Sequence, residues 1–194
     1  MDRRRGVLEG VVSGQILALD FGRAVERPPF LPISTLTTGM RGLGLNFQKG
    51  RIRATVLDRD GTGSITFHRA RIVVIDPNLP LPELMDRYAT QFRVLIDEYQ
   101  PHLLAARQVW DISGVDAAVS QVAPFGILAY VCSERNILFK HYTPQALRHP
   151  GKFGLAKGVN PLGAVDGLFG AHPPYWDDIQ KTSLLVVWRA LLDQ

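Results

Sequence analysis

Residues 41–58 read RGLGLNFQKGRIRATVLD, and this stretch decides the fold. Residues 41–47 and 51–57 are strand-like runs, and the turn-forming tripeptide QKG joins them tightly enough to predict an antiparallel hairpin. Apolar and polar residues alternate along the second run, which predicts that one face of this strand is buried. The apolar positions are Ile52, Ala54 and Val56, and the polar positions are Arg51, Arg53 and Thr55.

The chain after the hairpin continues with a third strand and then a helix. Residues 64–75 follow the turn DRDGTG, so we expect a three-stranded antiparallel meander. Beyond the breaker PNLPLP, apolar residues recur at the spacing of one helical face. These residues are Leu84, Tyr88, Phe92, Leu95 and Tyr99. Pro101 ends the predicted helix.

The next elements return the chain through the sheet. Residues 102–110 are short and apolar, as expected for a buried strand, and residues 137–142 predict another. Between them, residues 115–133 predict a buried helix that is kinked or split at Pro124. Crossover connections of this kind join parallel strands, so the sheet should be mixed.

The two ends of the chain differ in character. Residues 143–174 are rich in Gly and Pro and predict a loop region with one short helix, whereas residues 177–192 predict a final helix whose two initial acids suit the positive end of its dipole. Residues 15–22, QILALDFG, read as a short strand before the Pro-rich ERPPFLP. We therefore treat residues 1–40 as an N-terminal extension.

Composition restricts the class of protein. With 194 residues, 46% hydrophobic and 21% charged, the chain is in the range of a single globular domain. The net charge of +4 and pI of about 9.5 favour binding to a polyanion if the excess charge is concentrated on one face. Cys132 lies in an apolar segment and predicts a buried, inert thiol. No signal segment or membrane span is predicted, so we expect a cytoplasmic protein.

The order of elements is that of an α/β domain of the RNase H-like type. Such a domain has a mixed five-stranded sheet, built from an antiparallel three-strand meander plus two parallel strands and flanked by helices. Three segments resemble the RuvC-like Holliday junction resolvases: residues 41–58, QPHLLAARQVW at 100–110, and DDIQKTSLLVVWRALL at 177–192. On this resemblance, residues 41–194 form the RuvC/RNase H-like domain.

The resemblance implies a nuclease in which carboxylates hold paired Mg²⁺ ions, and the matching positions can be checked one by one. The first-strand Asp matches Asn46, and the fourth-strand Glu matches Arg107, which has no acceptor atom for a metal. The two acids of the last helix match Asp178 and Lys181. These four positions are net positive where the family pattern is strongly negative. We therefore expect no cofactor, with Mg²⁺ only if the chain is catalytic.

Two alternatives at this site stay open from the sequence. Asp178 can form an internal ion pair with Arg107 or Lys181, or the positive charge can receive a phosphate directly. Alternatively Asp20, Asp111 and Asp177 can restore a metal site if the register differs by a few residues, with QILALDFG as the first catalytic strand. Against that register, about twenty residues with three prolines would separate this strand from its hairpin partner.

The sequence thus supports three hypotheses about function. The first is a catalytically degenerate protein that binds nucleic acid, with duplex or branched DNA favoured over RNA, through basic residues near the site. These are Lys49, Arg51, Arg107, Arg148, Lys152, Lys157 and Lys181. The second is an active metal-dependent endonuclease that uses Asp20 or Asp111 with Asp177 and Asp178. The third is a protein-interaction scaffold. Each of the three is compatible with a homodimer or a larger protein assembly, and none involves a membrane.

Overall fold

The computed structural model describes residues 39–108, 114–115, 118–174 and 176–194. Its centre is a five-stranded sheet in the order β3-β2-β1-β4-β5. The strands are β1 (Met40–Gln48), β2 (Arg51–Arg59), β3 (Ile65–Val74), β4 (Leu103–Arg107) and β5 (Leu138–Tyr142). β1, β2 and β3 pair antiparallel, while β4 is parallel to both β1 and β5. The predicted meander and mixed sheet are confirmed.

Four α-helices flank the sheet in the described part of the chain. They are α1 (Leu81–Tyr99), α2 (Ala123–Glu134), α3 (Pro161–Phe169) and α4 (Asp178–Leu192). A π-helical turn, Ala118–Val122, precedes α2, so the predicted helix changes type just before Pro124. The linker contains α3 and two 3₁₀ turns, Ala146–Arg148 and Pro150–Phe153. The predicted strand at residues 15–22, and the rest of the extension up to residue 38, lie outside the described residues.

Both faces of the sheet are covered, which gives the domain two cores. On one face, Leu45, Val56 and Leu104 pack with residues of α1 and α2. On the other, Leu103 and Ala105 pack with α4. The alternation along β2 predicted one buried face, but Arg53 and Thr55 on its polar side are buried as well. Their burial follows from the docking of α4, which strand periodicity does not reveal.

β1 and α4 approach each other unusually closely. A Cβ atom added to Gly44 would lie 2.1 Å from the carbonyl oxygen of Ser183, and one added to Gly42 would lie 2.5 Å from Val187 Cγ2. Only a strand without side chains at these two positions allows the helix backbone to come so near. The glycines of RGLGLNF therefore set the depth at which the N-terminal half of α4 rests on the sheet.

Two simpler expectations can be compared with the structure. Cys132 is buried on α2, and burial raises the pKa of its thiol to about 12. This agrees with the predicted inert thiol, because the reactive form is the thiolate. Among the described residues, no helix is both long and apolar enough to span a membrane.

Candidate nucleic-acid interface

Three polar residues form a row across the central strands. Asn46 of β1 lies directly opposite Arg53 of β2, and Leu45 lies opposite Ala106, so Arg107 occupies the next position on β4. All three residues are on the α4 side of the sheet. Asn46 Nδ2 donates a hydrogen bond to the carbonyl oxygen of Ile179 at 3.1 Å, which holds the first turn of α4 over this row.

Arg53 is the buried centre of the site. Its side chain is 5% exposed, and its Nη2 group donates to Asp177 Oδ2 at 2.8 Å. The Nε and Nη1 groups are also buried, and neither has a hydrogen-bond partner among the described residues. A guanidinium carries its charge at any physiological pH. The site therefore contains a permanent internal cation, and Asp177 is its one carboxylate partner in the described part of the chain.

Asp177 uses both of its oxygens inside the protein. Oδ1 accepts a hydrogen bond from the backbone N–H of Gln180 and caps α4, while Oδ2 receives Arg53. The neighbouring Asp178 is exposed, and its carboxylate has no partner among the described residues. Of the two acids at the start of α4, only Asp178 is thus available to an external ligand.

Lys181 is paired, but with an acid that was not a sequence candidate. Its Nζ lies 2.7 Å from Asp166 Oδ2 on α3, and the side chain is 15% exposed. Trp176 Nε1 donates to the other oxygen of Asp166 at 2.6 Å. The bonds from Lys181 and Trp176 lower the pKa of Asp166. An internal ion pair therefore exists at the site, but the predicted partnership of Asp178 with Lys181 or Arg107 is wrong.

A buried hydrogen-bond network connects α4 to β2 below the first turn of the helix. Gln180 Nε2 donates to the Ala54 carbonyl oxygen and to Thr55 Oγ1, both at 2.8 Å. Thr55 Oγ1 and Ser183 Oγ lie 2.6 Å apart. These contacts hold α4 in register over the row, so its acids and its lysine are fixed in position rather than free to rearrange.

The described residues do not provide the ligands for a pair of magnesium ions. Mg²⁺ prefers carboxylate oxygens in near-octahedral geometry, but the row contains an amide and two guanidinium groups. One acid of α4 is already engaged by Arg53 and the helix cap. Within the described ranges, no group of three or more His, Cys, Asp and Glu side chains can hold a metal ion. The candidate ligands Asp20 and Asp111 lie outside the described residues.

Several predicted basic residues lie at one end of the sheet. The hairpin turn with Lys49 and Arg51 is at the carboxyl end of β1, and Arg107 is at the carboxyl end of the parallel strand β4. Arg107 and Arg148 line one cleft. Lys152 does not join them, since its carbonyl oxygen accepts from Arg189, at the far end of α4. Lys157 is exposed in the loop before α3.

The sequence could have revealed Arg53 through the hairpin. Gln48 pairs with Arg51 across a two-residue turn, and counting back along both strands places Arg53 opposite Asn46. The QKG turn contains this information. Asp166 offers no such signal, because its pairing with Lys181 depends on how the linker folds back onto α4.

Known proteins with a similar sequence or structure were found, although no family model matches the chain. A crossover junction endodeoxyribonuclease RuvC from Corynebacterium jeikeium is 24% identical over 139 residues, which cover 69% of this chain and 85% of that protein. The Thermus thermophilus RuvC structure superposes with a TM-score of 0.64 and 15% identity, covering 78% of this chain and 94% of that one. The yeast mitochondrial Holliday junction resolvase Ydc2 superposes with a TM-score of 0.58 and 16% identity, covering 79% and 80%.

These similarities are those of a shared fold. They extend over most of the described domain rather than over one motif. The chain therefore has the fold of the RuvC-type resolvases, and its sequence is similar to that of a RuvC endonuclease.

Proposed function

We propose that this protein is a catalytically degenerate RuvC-like protein that binds duplex or branched DNA, alone or as a subunit of a larger assembly. One observation carries the proposal: the buried guanidinium of Arg53 occupies the centre of the site and engages Asp177. A fixed positive charge at this position opposes the binding of a divalent cation. Loss of cleavage is therefore expected, while the fold that positions the nucleic acid is retained.

DNA as the partner is supported by charge and by the relatives. One superposed structure is that of Thermus thermophilus RuvC in complex with a Holliday junction substrate, with a TM-score of 0.64 and 14% identity. In this chain, Lys49, Arg51, Arg107 and Arg148 surround the same end of the sheet as the start of α4. Contacts of such residues with phosphates supply affinity without sequence preference.

The test combines binding with cleavage. Purified full-length protein should bind a four-way junction and a linear duplex in excess EDTA, with log K falling linearly as log salt rises. The same junction should remain intact when Mg²⁺ or Mn²⁺ is added. Failure to bind DNA or RNA at low salt would exclude the proposal and favour the protein-interaction scaffold.

The active endonuclease is the second outcome of the same experiment. Asp178 is exposed and unpartnered among the described residues, so its carboxylate is available to a metal. Metal-dependent cleavage that disappears in Asp178→Asn would establish this activity. The variants Asp20→Asn and Asp111→Asn would then identify which further acid contributes.

A further inference from the structure

A cleft opens beside the polar row, on the side of β4 and the linker. Its walls come from the end of β4, the 3₁₀ turn Ala146–Arg148, the start of α3 and the second turn of α4. Its volume is about 380 Å³. It lies next to Arg107, the position where the resemblance places the glutamate of the fourth strand.

The charge in this cleft is unbalanced. Arg107 and Arg148 both line it, both are exposed, and neither forms an ion pair with a described residue. No carboxylate is among the described side chains that line the cleft. Two guanidinium groups without a counter-charge repel each other, and a shared anion relieves this repulsion.

Polar and apolar groups in the cleft suit the parts of a nucleotide. Asn160 Oδ1 accepts from the backbone N–H of Leu162 and caps α3, so its Nδ2 group is left as a donor, with no partner among the described residues. The remaining wall includes Leu147, Leu162 and Leu185, together with Thr182, whose hydroxyl group donates to the Asp178 carbonyl oxygen. Donors for phosphate oxygens therefore lie beside a surface against which the carbon atoms of a sugar can pack.

We propose that this cleft binds a phosphate group of DNA directly, through Arg107 and Arg148 and without a metal ion. The inference rests on the proposed function and specifies how its site holds the ligand. A planar guanidinium can donate two parallel hydrogen bonds to a phosphate, so two arginines can neutralise and orient one group. Where the family pattern places carboxylates and metal ions, this chain places the cation on the protein itself.

The experiment measures DNA affinity as a function of salt in excess EDTA, by fluorescence anisotropy with a 3′-labelled duplex. Arg107→Gln and Arg148→Gln should each reduce the slope of log K against log salt by about one, which at about 0.1 M salt is a loss of roughly eightfold in affinity. Arg107→Lys should largely restore the slope, because it restores the charge. Arg87→Gln is the matched control: it removes one exposed arginine from α1, on the opposite face of the sheet, that has no ion pair with a described residue.

Two sources of phosphate can be distinguished with the same variants. If the cleft takes a terminal phosphate, the variants lose affinity only for duplexes with a 5′-phosphate, and not for those with a 5′-hydroxyl. If it takes an internal phosphodiester, they also lose affinity for a duplex closed by hairpins at both ends. Either pattern supports the cleft as a phosphate site.

Wild-type slopes in Arg107→Gln and Arg148→Gln, in a protein that binds DNA, would overturn the cleft while leaving the proposed function intact. If the protein binds no DNA, the cleft is tested directly with inorganic phosphate. Inorganic phosphate should shift the amide NMR signals of Asn160 and Leu162 in the wild-type protein, and not in Arg107→Gln. The absence of any shift in the wild type would also overturn the inference.

Discussion

The buried side chain of Arg53 destabilises the fold through its desolvation and stabilises it through its ion pair. Its guanidinium is removed from water, and one of its three nitrogen atoms has a hydrogen-bond partner within the described ranges. Desolvation of an ion is compensated only when a counter-charge and hydrogen bonds replace the lost water. Asp177 supplies that counter-charge and, being 46% exposed, keeps part of its own hydration. The pair is therefore asymmetric: the arginine depends on the aspartate more than the reverse.

We expect Asp177→Asn to destabilise the protein by about 3 kcal/mol, because it leaves a buried cation without its counter-charge. The asparagine can still cap α4 through its carbonyl oxygen, so the loss is not that of the cap. Its amide N–H group would instead face Arg53, donor against donor. The free energy of unfolding in urea measures the effect.

Asp178→Asn is the control, since this neighbouring carboxylate is exposed and has no partner among the described residues. It should change the free energy of unfolding by less than about 0.5 kcal/mol. The double variant Arg53→Met/Asp177→Asn should recover much of the lost stability, because no buried charge is left. Equal effects of the two single variants would contradict the role given to Arg53.

Cys132 yields a prediction about pH and reactivity. Burial raises the pKa of its thiol from the ordinary value of 9.0 to about 12, so the folded protein favours the protonated form. Its contribution to stability is complete below pH 9 and is lost as the pH rises towards 12. At pH values below this window, a disulfide reagent should label Cys132 only after a denaturant is added. Fast labelling of the native protein would contradict its burial.

At the scale of elements, the decisive contact is that between β1 and α4. Gly42 and Gly44 open a space for the helix, and the Thr55–Gln180–Ser183 network fixes its register. Asn46 and Arg53 then hold its first turn. Together these contacts extend along the helix from Asp177 to Leu191, so α4 has one position on the sheet. The position of Asp178 over the site follows from all of them together.

Gly44→Ala should be among the most disruptive single substitutions in this chain. Its Cβ would lie 2.1 Å from a backbone oxygen and 2.8 Å from Val187 Cβ, so α4 would have to move away from the sheet. We expect a loss of at least about 3 kcal/mol, at the upper end of overpacking effects, or failure to fold. Thermal unfolding and soluble yield measure this effect.

Gly126→Ala, in α2, is the matched substitution. A Cβ there meets no atom within 4 Å, so it should be neutral or stabilise the helix by about 0.5–1 kcal/mol. Equal tolerance of both alanines would show that α4 does not rest on β1 as closely as the structure has it.

At the scale of the whole molecule, the distribution of charge matters more than its total. Several arginines distant from the site are paired with acids: Arg41 with Asp58, Arg93 with Glu134, and Arg135 with Asp97. Arg107 and Arg148 have no such partner in the described part of the chain. These two guanidinium groups therefore leave positive charge uncompensated in the cleft beside β4, where a polyanion gains from contact.

The effect of Mg²⁺ on the melting temperature tests whether this distribution of charge excludes a metal ion. A ligand at a hundred times its dissociation constant stabilises the folded state by about 2.7 kcal/mol, so a real metal site would raise Tm by several degrees. We expect a change of less than about 1 °C between MgCl₂ and EDTA at equal ionic strength. A saturable rise that is lost in Asp178→Asn would instead support the metal-dependent nuclease.

The elements and their order can be read from the amino-acid sequence alone. Strand alternation, the QKG turn, the helical spacing from Leu84 to Tyr99 and the Pro-bounded crossovers depend on residues near one another in the chain. The same is true of the identities at Asn46, Arg107, Asp178 and Lys181, which could be compared with the family pattern position by position. Local physics sufficed for the elements and their order, and the resemblance to the RuvC-like resolvases supplied the expectation that the metal ligands are replaced.

Only the tertiary structure decided which charges meet. Arg53 lies 124 positions from Asp177, and Lys181 lies 15 from Asp166, so both pairs depend on how α4 and the linker dock. The burial of Arg53 also results from the docking of α4. The alternation of residues along β2 predicts a strand, but it gives no information about the helix that covers it. The energy of a charge depends on its burial and its partners, and both are properties of the packed chain.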